Sequence, residues 1–262
     1  MSSPTIADLL THARGLRVLF VHAHPDDDTL STGPLIAWLA RQGADVSLLT
    51  CCRGERGEVV PGVLPDGASP VDLVEARERE LDAACTALGV RQHWFLGAAP
   101  WRARGRAERH YEDSGMRWVT PTVAGPARDA SELSLTRASL DEEVADVLAG
   151  LRQLAPEIVL SYDEGGGYGH PDHLRVHQVV EQAARHQAVG FVAVLSNDDV
   201  PGTDTARARW FESDDPAVAQ AVLAALRCYR SQLTVVGEGA DSHIRHVGGQ
   251  RQEIPRRVGL IE

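Results

Sequence analysis

Two short stretches, far apart in the chain, hold the residue types needed for metal-assisted or acid–base chemistry. One is His24-Pro25-Asp26-Asp27-Asp28 and the other is His170-Pro171-Asp172-His173. Each contains His-Pro-Asp followed by a second side chain able to bind a cation. Three consecutive carboxylates repel one another, so their clustering costs free energy unless a cation or strong donors compensate. The alternative is a helix N-terminus, where capping and the dipole favour Asp. Ahead of the second stretch, the glycines between Gly165 and Gly169 allow the backbone to approach a ligand closely or to take positive φ. His170 and His173, three apart, face the same way as a helix begins. A catalytic zinc takes about three protein ligands of N and O type and keeps a fourth position open. His24 and Asp27, with one histidine of the second stretch, would supply that set. Two other sets compete. His173 and His177 form a His-x-x-x-His pair, and His22, His24 and Asp26 match part of the H-x-H-x-D-H pattern of binuclear hydrolases, with Asp27 at its final position.

The elements that must position these stretches follow from the apolar pattern. Residues 17–21, an apolar run rich in β-formers, read as a strand buried on both faces that empties into the first stretch. A helix over 35–42 closed by Gly43, a strand over 45–50 and a helix over 71–88 closed by Gly89 come next. Residues 93–96 read as a third strand. From 97 to 136 the pattern breaks down, and a connection that long inside a compact domain is usually a lid or a binding loop. Order returns with a helix over 140–154 and a strand over 157–162 that empties into the second stretch. A helix to about 186, a strand over 191–195 and a helix over 218–233 complete the reading. Alternating strands and helices imply an α/β fold with a mostly parallel sheet and helices on both faces. In such sheets ligands bind beyond the carboxyl ends of the strands, where both stretches fall. A dinucleotide turn is disfavoured, because no G-x-G-x-x-G follows the first strand and three aspartates stand where a pyrophosphate would sit. One domain over 1–262 is expected, with a core at 17–195 and a carboxy-terminal extension at 196–262.

Composition bounds the partners. The 262 residues carry 37 acidic against 26 basic side chains, all of the latter arginine, for a formal net charge of −11. Such a chain repels phosphate backbones and anionic lipid, so neither nucleic acid nor a membrane surface is an expected partner. No apolar run approaches the roughly 20 residues of a membrane span, and Met1 to Arg14 lack the basic-then-apolar pattern of a signal peptide. Four cysteines without a CxxC pair support neither a thiolate zinc site nor a redox motif. A cytoplasmic setting is expected. Oligomeric state has no signature in the composition.

Taken together, Ala23-His24-Pro25-Asp26-Asp27-Asp28 and Tyr168-Gly169-His170-Pro171-Asp172-His173 resemble the two motifs of the LmbE-like, or PIG-L, family of zinc-dependent N-acetylglucosaminyl deacetylases. The branch that deacetylates N-acetylglucosaminyl-inositol in mycothiol biosynthesis is the nearest resemblance. Further matching stretches are Thr50-Cys51, Gly54-Glu55-Arg56-Gly57-Glu58-Val59, the helix around Arg77 and Asp113-Ser114-Gly115-Met116, so the likeness runs from about Arg17 to Ala184. It implies a Rossmann-like fold, an N-acyl amino sugar as small-molecule substrate, and Zn²⁺ as the ion, with Fe²⁺ able to substitute at such N/O sites. It also implies His24, Asp27 and His173 as metal ligands and Asp26 as general base. His170 would stabilise the oxyanion or donate a proton, with Asp172 orienting its imidazole. Arg77, Asp113, Tyr168 and Glu58 match substrate-contacting positions. The chemistry of the residues agrees with these roles. Zinc lowers the pKa of a bound water to about 7. A developing oxyanion needs a donor such as protonated His170, and a carboxylate such as Asp172 would favour the imidazolium. Arg77 lies on the apolar stripe of its helix between Val74 and Leu81, either snorkelling at the helix edge or reaching into the cleft. The sequence departs from the family where the usual Glu after the two aspartates is Asp28, where the Arg-rich stretch from Trp101 to Tyr111 is longer, and where the tail after Phe191 matches loosely. Those departures keep open a related substrate, such as a mycothiol S-conjugate for an amidase or a glycosylated natural product for a deacylase.

Overall fold

A computed structural model describes residues 4–195 and 205–262, so positions 1–3 and the start of the expected extension, 196–204, lie outside the described residues. In chain order the main elements are α1 (Ile6–Thr11), β1 (Arg17–His22), α2 (Asp27–Arg41), β2 (Asp45–Thr50), α3 (Pro70–Leu88) and β3 (Gln92–Phe95). A small hairpin follows, β4 (Met116–Trp118) with β5 (Ala124–Pro126), then α4 (Leu140–Leu154), β6 (Ile158–Tyr162) and a single turn, α5 (Gly166–Gly169). The remainder is α6 (Pro171–Gln187), β7 (Gly190–Leu195), β8 (Arg209–Glu212), α7 (Pro216–Leu226), β9 (Leu233–Val236), β10 (His243–His246), β11 (Arg251–Glu253) and β12 (Arg257–Ile261).

Seven strands form the central sheet in the order β3-β2-β1-β6-β7-β12-β8. The pairs from β3 through β7 are parallel, and β12 runs antiparallel to both β7 and β8. Along β1 the side chains alternate between two cores. Val18 and Phe20 join Leu35, Leu81 and Val222 on the face covered by α2, α3 and α7, while Leu19 and Val21 join Val147, Leu151 and Val180 on the face covered by α4 and α6. That alternation with both sides apolar is what a strand buried on both faces requires.

The chain leaves β1 toward β2 on one side, whereas β6 and β7 lie on the other. The crevice between the carboxyl ends of β1 and β6 is therefore the switch point of a doubly wound sheet. It receives the two histidine–aspartate stretches.

Three expectations change. Helix α2 starts at Asp27, well before residue 35, because Pro34 inside it imitates a helix start and its first turns are small polar residues that are nevertheless buried, Thr29, Ser31 and Thr32 among them. The last helix ends at Leu226 rather than continuing to 233, and the turn beyond it directs Tyr229 into the core. Within the segment 97–136, expected to be a lid or a binding loop, the first part is anchored. Arg102 holds Asp146 at 2.7 Å and Glu142 at 2.8 Å, Arg109 reaches Glu142 at 3.1 Å, and Tyr111 donates to Asp146 at 2.9 Å, which pins 101–111 onto α4.

Candidate metal and catalytic centre

The first stretch folds as a turn into α2. Asp26 takes φ 92° and ψ −31° as the residue before the helix, a left-handed conformation that a non-glycine residue adopts only when its surroundings impose it. Its side chain makes no capping hydrogen bond, while Asp27 and Asp28 stand in the first turn of α2, where the helix dipole favours them. Burial, then the neighbouring Asp27, pushes the Asp26 carboxyl well above the usual range, with Arg77 opposing.

Asp27 is the hub. Its Oδ2 accepts from the His24 backbone N–H at 3.0 Å and from the Tyr162 hydroxyl at 2.6 Å. The same oxygen lies 3.3 Å from His24 Nδ1 and 3.3 Å from His173 Nε2. Burial alone would raise this carboxyl, but His173 and His24 outweigh it and hold Asp27 well below the usual range. Each imidazole is tied at its other nitrogen. His24 Nε2 meets the Asp172 carboxylate at 3.0 Å, and His173 Nδ1 meets the Gly166 carbonyl at 3.2 Å. Burial alone would lower His24, but Asp113, Asp172 and Asp27 outweigh it and hold this imidazole well above its usual value. A cation held here would leave the ring protons on the nitrogens that face Asp172 and Gly166 and take the lone pairs of His24 Nδ1 and His173 Nε2. His173 Nε2 is buried without a hydrogen-bond partner.

His24 Nδ1 and His173 Nε2 converge on one buried carboxylate oxygen, a place that a cation would share with them. A separation of about 3.3 Å is also the edge of a tetrahedron whose metal–ligand bonds are about 2.0–2.1 Å. The residues therefore fit a metal ion. Among the described residues, the groups whose ligand atoms all lie within 4.8 Å of one another are His24, His170 and His173, and His24, Asp113, His170 and Asp172; Asp27 is in neither. Asp27 is tied to His24 and His173 by the two 3.3 Å approaches to one of its oxygens.

The competing sets separate here. His177 turns its Nδ1 to the Tyr162 carbonyl at 2.8 Å, outside the centre. His22 is buried against Thr32 Oγ1 at 2.8 Å, and burial lowers it to about 4.

His170 caps α6, where its Nδ1 accepts from the Asp172 backbone N–H at 3.2 Å, which places the ring proton on Nε2. Burial, with His24 and His173 adding to it, pushes this imidazole well below its usual value. The expected imidazolium, oriented by the Asp172 carboxylate, is therefore corrected. Asp172 directs that carboxylate to His24 and to the Ser114 N–H at 2.9 Å, and His170 is a neutral ring with one N–H to give.

Arg77 neither snorkels nor projects freely. The residue is 2% exposed, and its guanidinium donates to the carbonyls of Gly54 and, at 3.1 Å, Glu58. A Cβ at Gly57 would meet that guanidinium at 2.5 Å, so the loop needs glycine there for the arginine to lie so close. Burial depresses the Arg77 pKa, with Asp26 and Asp113 opposing. Glu58 itself is exposed. Asp113 is buried rather than solvated. It accepts from the N–H groups of Gly115 at 2.7 Å and Arg56 at 3.3 Å, and its Oδ1 lies 3.7 Å from His24 Nε2. Tyr168 stands half-buried between the histidines and the β4–β5 hairpin, its ring 5.4 Å from that of His173.

Sequence reasoning missed Tyr162, Ser114, Glu55 and Tyr229. Tyr162 stacks flat on His173 at 4.2 Å while bridging Ala23 N–H and Asp27. Glu55 accepts from the Asp113 N–H at 2.9 Å and meets His110 at 2.5 Å. Tyr229 donates to Asp28 at 2.6 Å, so the shorter carboxylate at 28 is held by the carboxy-terminal segment. The available signal was a tyrosine ending a buried strand at the switch point.

A doubly wound α/β sheet whose switch point holds a buried histidine–aspartate centre suited to a metal ion is the class of protein that these observations define. The chain belongs to the PIG-L family, whose profile, described as GlcNAc-PI de-N-acetylase, matches residues 19–184. It is 45% identical over 167 residues to a 1D-myo-inositol 2-acetamido-2-deoxy-alpha-D-glucopyranoside deacetylase of Kineococcus radiotolerans, covering 64% of this chain and 44% of that one. A protein of the same description from a Nocardioides species is 38% identical over 227 residues, covering 86% and 70%. The chain spans about half the length of the first curated relatives it matches. Its fold is similar to that of N,N'-diacetylchitobiose deacetylase from Pyrococcus horikoshii, with a TM-score of 0.55, 19% identity, and 81% of this chain and 69% of that one covered. Among the described residues, no helix is long and apolar enough to cross a membrane.

Proposed function

We propose that this protein is a metal-dependent hydrolase that removes the acetyl group from an N-acetylglucosamine-containing small molecule, with N-acetylglucosaminyl-inositol as the substrate. The observation that carries this reading is the pair of 3.3 Å approaches of His24 Nδ1 and His173 Nε2 to one Asp27 oxygen. Those three side chains are the proposed ligands, and Zn²⁺ the proposed ion, with Fe²⁺ compatible with the same donors. When bound, the ion supplies Lewis acidity toward water and the amide carbonyl.

The remaining steps belong to the chain's own groups. The Asp26 carboxylate takes the proton of the attacking water and returns it to the leaving amine. His170, with its proton on Nε2, donates to the oxygen of the carbonyl as charge develops there, and needs no positive charge to do so. Asp172 fixes the tautomer of His24, and Tyr162 orients both Asp27 and His173. Asp113 and Tyr168 border the space beside His24 and are proposed to hold the sugar. Arg77 holds the 54–58 loop, and through it Glu58.

One unit over the whole chain, with the segment after 195 as an extension of the 17–195 core, is supported by β12 lying between β7 and β8 and by the Tyr229–Asp28 contact. A reducing, cytoplasmic setting is supported by four free cysteines. The test is primary-amine release by the zinc-loaded protein from N-acetylglucosaminyl-inositol, other N-acyl sugars and a mycothiol S-conjugate. Fastest release from the first is expected, and turnover confined to the S-conjugate would replace this reading with an amidase.

A further inference from the structure

The β4–β5 hairpin lies beside the glycine-rich turn that carries the second motif. A Cβ at Gly169 would meet the Ala124 carbonyl at 3.4 Å and Val123 at 3.5 Å, so hairpin and turn are in close contact. On this hairpin Trp118 is 49% exposed, and among the described residues it is the one aromatic side chain in the set of exposed large hydrophobics. Its indole is not simply loose on the surface. One side lies against Tyr168, with ring centroids 5.6 Å apart and planes tilted by 35°. Tyr168 in turn lies 5.9 Å from the His170 ring and 5.4 Å from the His173 ring. Two ring-to-ring steps thus lead from solvent at Trp118 to an imidazole of the candidate metal centre.

We propose that the Trp118 indole, backed by Tyr168, is a ring-stacking subsite for the second ring of a two-ring N-acyl glycoside. This rests on the deacetylase reading above, which fixes one end of the substrate. The scissile acetamide must reach His24, Asp27 and His173, so the ring bearing it lies beside Tyr168, and a cyclitol or sugar attached to that ring extends one ring further out. The C–H face of a saturated ring packs against an indole while its hydroxyl edge stays in water, which suits an aromatic side chain with one side covered and one side wet. Trp118 acts by binding and takes no part in proton transfer, so its removal should appear in KM.

The test compares the zinc-loaded protein with its Trp118→Ala and Trp118→Phe forms on N-acetylglucosaminyl-inositol and on single-ring N-acetylglucosamine. Trp118→Ala is expected to raise KM for the two-ring substrate about tenfold with kcat little changed, and to raise it far less for the single ring. Trp118→Phe should recover most of the loss. An unchanged KM, or an equal rise for both substrates, overturns the subsite while leaving the deacetylase reading intact. Amine release from no N-acyl sugar would instead remove the deacetylase reading. The subsite is then decided by calorimetric titration of N-acetylglucosaminyl-inositol into the zinc-loaded Asp26→Asn protein with and without Trp118→Ala. Binding about tenfold weaker without the indole supports the subsite. Equal affinities, or no binding to either, overturn it.

Discussion

Asp26 is the residue on which the proposed chemistry and the backbone meet. Holding a non-glycine residue at φ 92° costs roughly 1–3 kcal/mol, and here the strain sits on the carboxylate assigned to move the proton. Asn tolerates the left-handed region and keeps the shape. Asp26→Asn should therefore retain bound zinc and lose about 10²–10⁴-fold in kcat, read by amine release alongside metal analysis. Full activity in that variant would remove Asp26 from the mechanism. Tyr162 makes a separate prediction. Tyr162→Phe deletes the hydroxyl between Ala23 and Asp27 but keeps the ring on His173, so zinc affinity should weaken about 10–100-fold in equilibrium dialysis, and an unchanged affinity would contradict that role. The difference in legibility between these residues is physical. His24, Asp26 and Asp27 are neighbours in the chain and declare themselves by type and spacing. Tyr162 meets Asp27 across 135 positions and Tyr229 meets Asp28 across 201, and nothing local in the sequence marks either contact.

Among the elements, the parallel strands were readable because their runs are short, apolar and rich in β-formers, and each observed bound falls close to the expected one. The Arg-rich stretch after β3 was not, since its order comes from distant partners on α4. Arg102 and Arg109 converge on Glu142, and the indole of Trp101 lies directly over Gly150. A side chain at 150 has no room, because its Cβ would overlap that indole, which is fully buried. Gly150→Ala is expected to destabilise the fold by about 1–3 kcal/mol or more, seen as a lower Tm in thermal unfolding. An unchanged Tm would mean that Trp101 is free to move away from α4. The stretch 101–111 is thereby anchored to α4 just ahead of Asp113, whose Oδ1 lies 3.7 Å from His24 Nε2, so of the lid or binding loop expected from length alone this part is not a free lid.

At the scale of the molecule, the buried carboxyl of Glu143 stands out for having no hydrogen-bond partner. Glu143 on α4 is fully buried, neither of its oxygens has a hydrogen bond, and Arg175 on α6 approaches only to 3.6 Å. Burial raises it from 4.5 to about 8, with Arg175 and Arg109 opposing. Between those two values the folded form holds a proton that the unfolded chain releases, so stability from this group is complete below pH 4.5 and is lost as pH rises to about 8. Glu143→Gln removes that slope. The Tm of the variant relative to the parent should rise from about pH 5 to about pH 9, and a difference that stays flat would show that Glu143 is ionised throughout. The central claim is larger: one cation is gripped by two loops that the sheet brings together from opposite sides of its switch point. Zinc titration of the chelator-stripped protein, followed by equilibrium dialysis, tests it most directly. One equivalent is expected, with affinity at least about 100-fold weaker after His24→Ala or His173→Ala and unaltered after His177→Ala. Zinc bound with equal strength when His173 is gone, or no zinc bound at all, would contradict it.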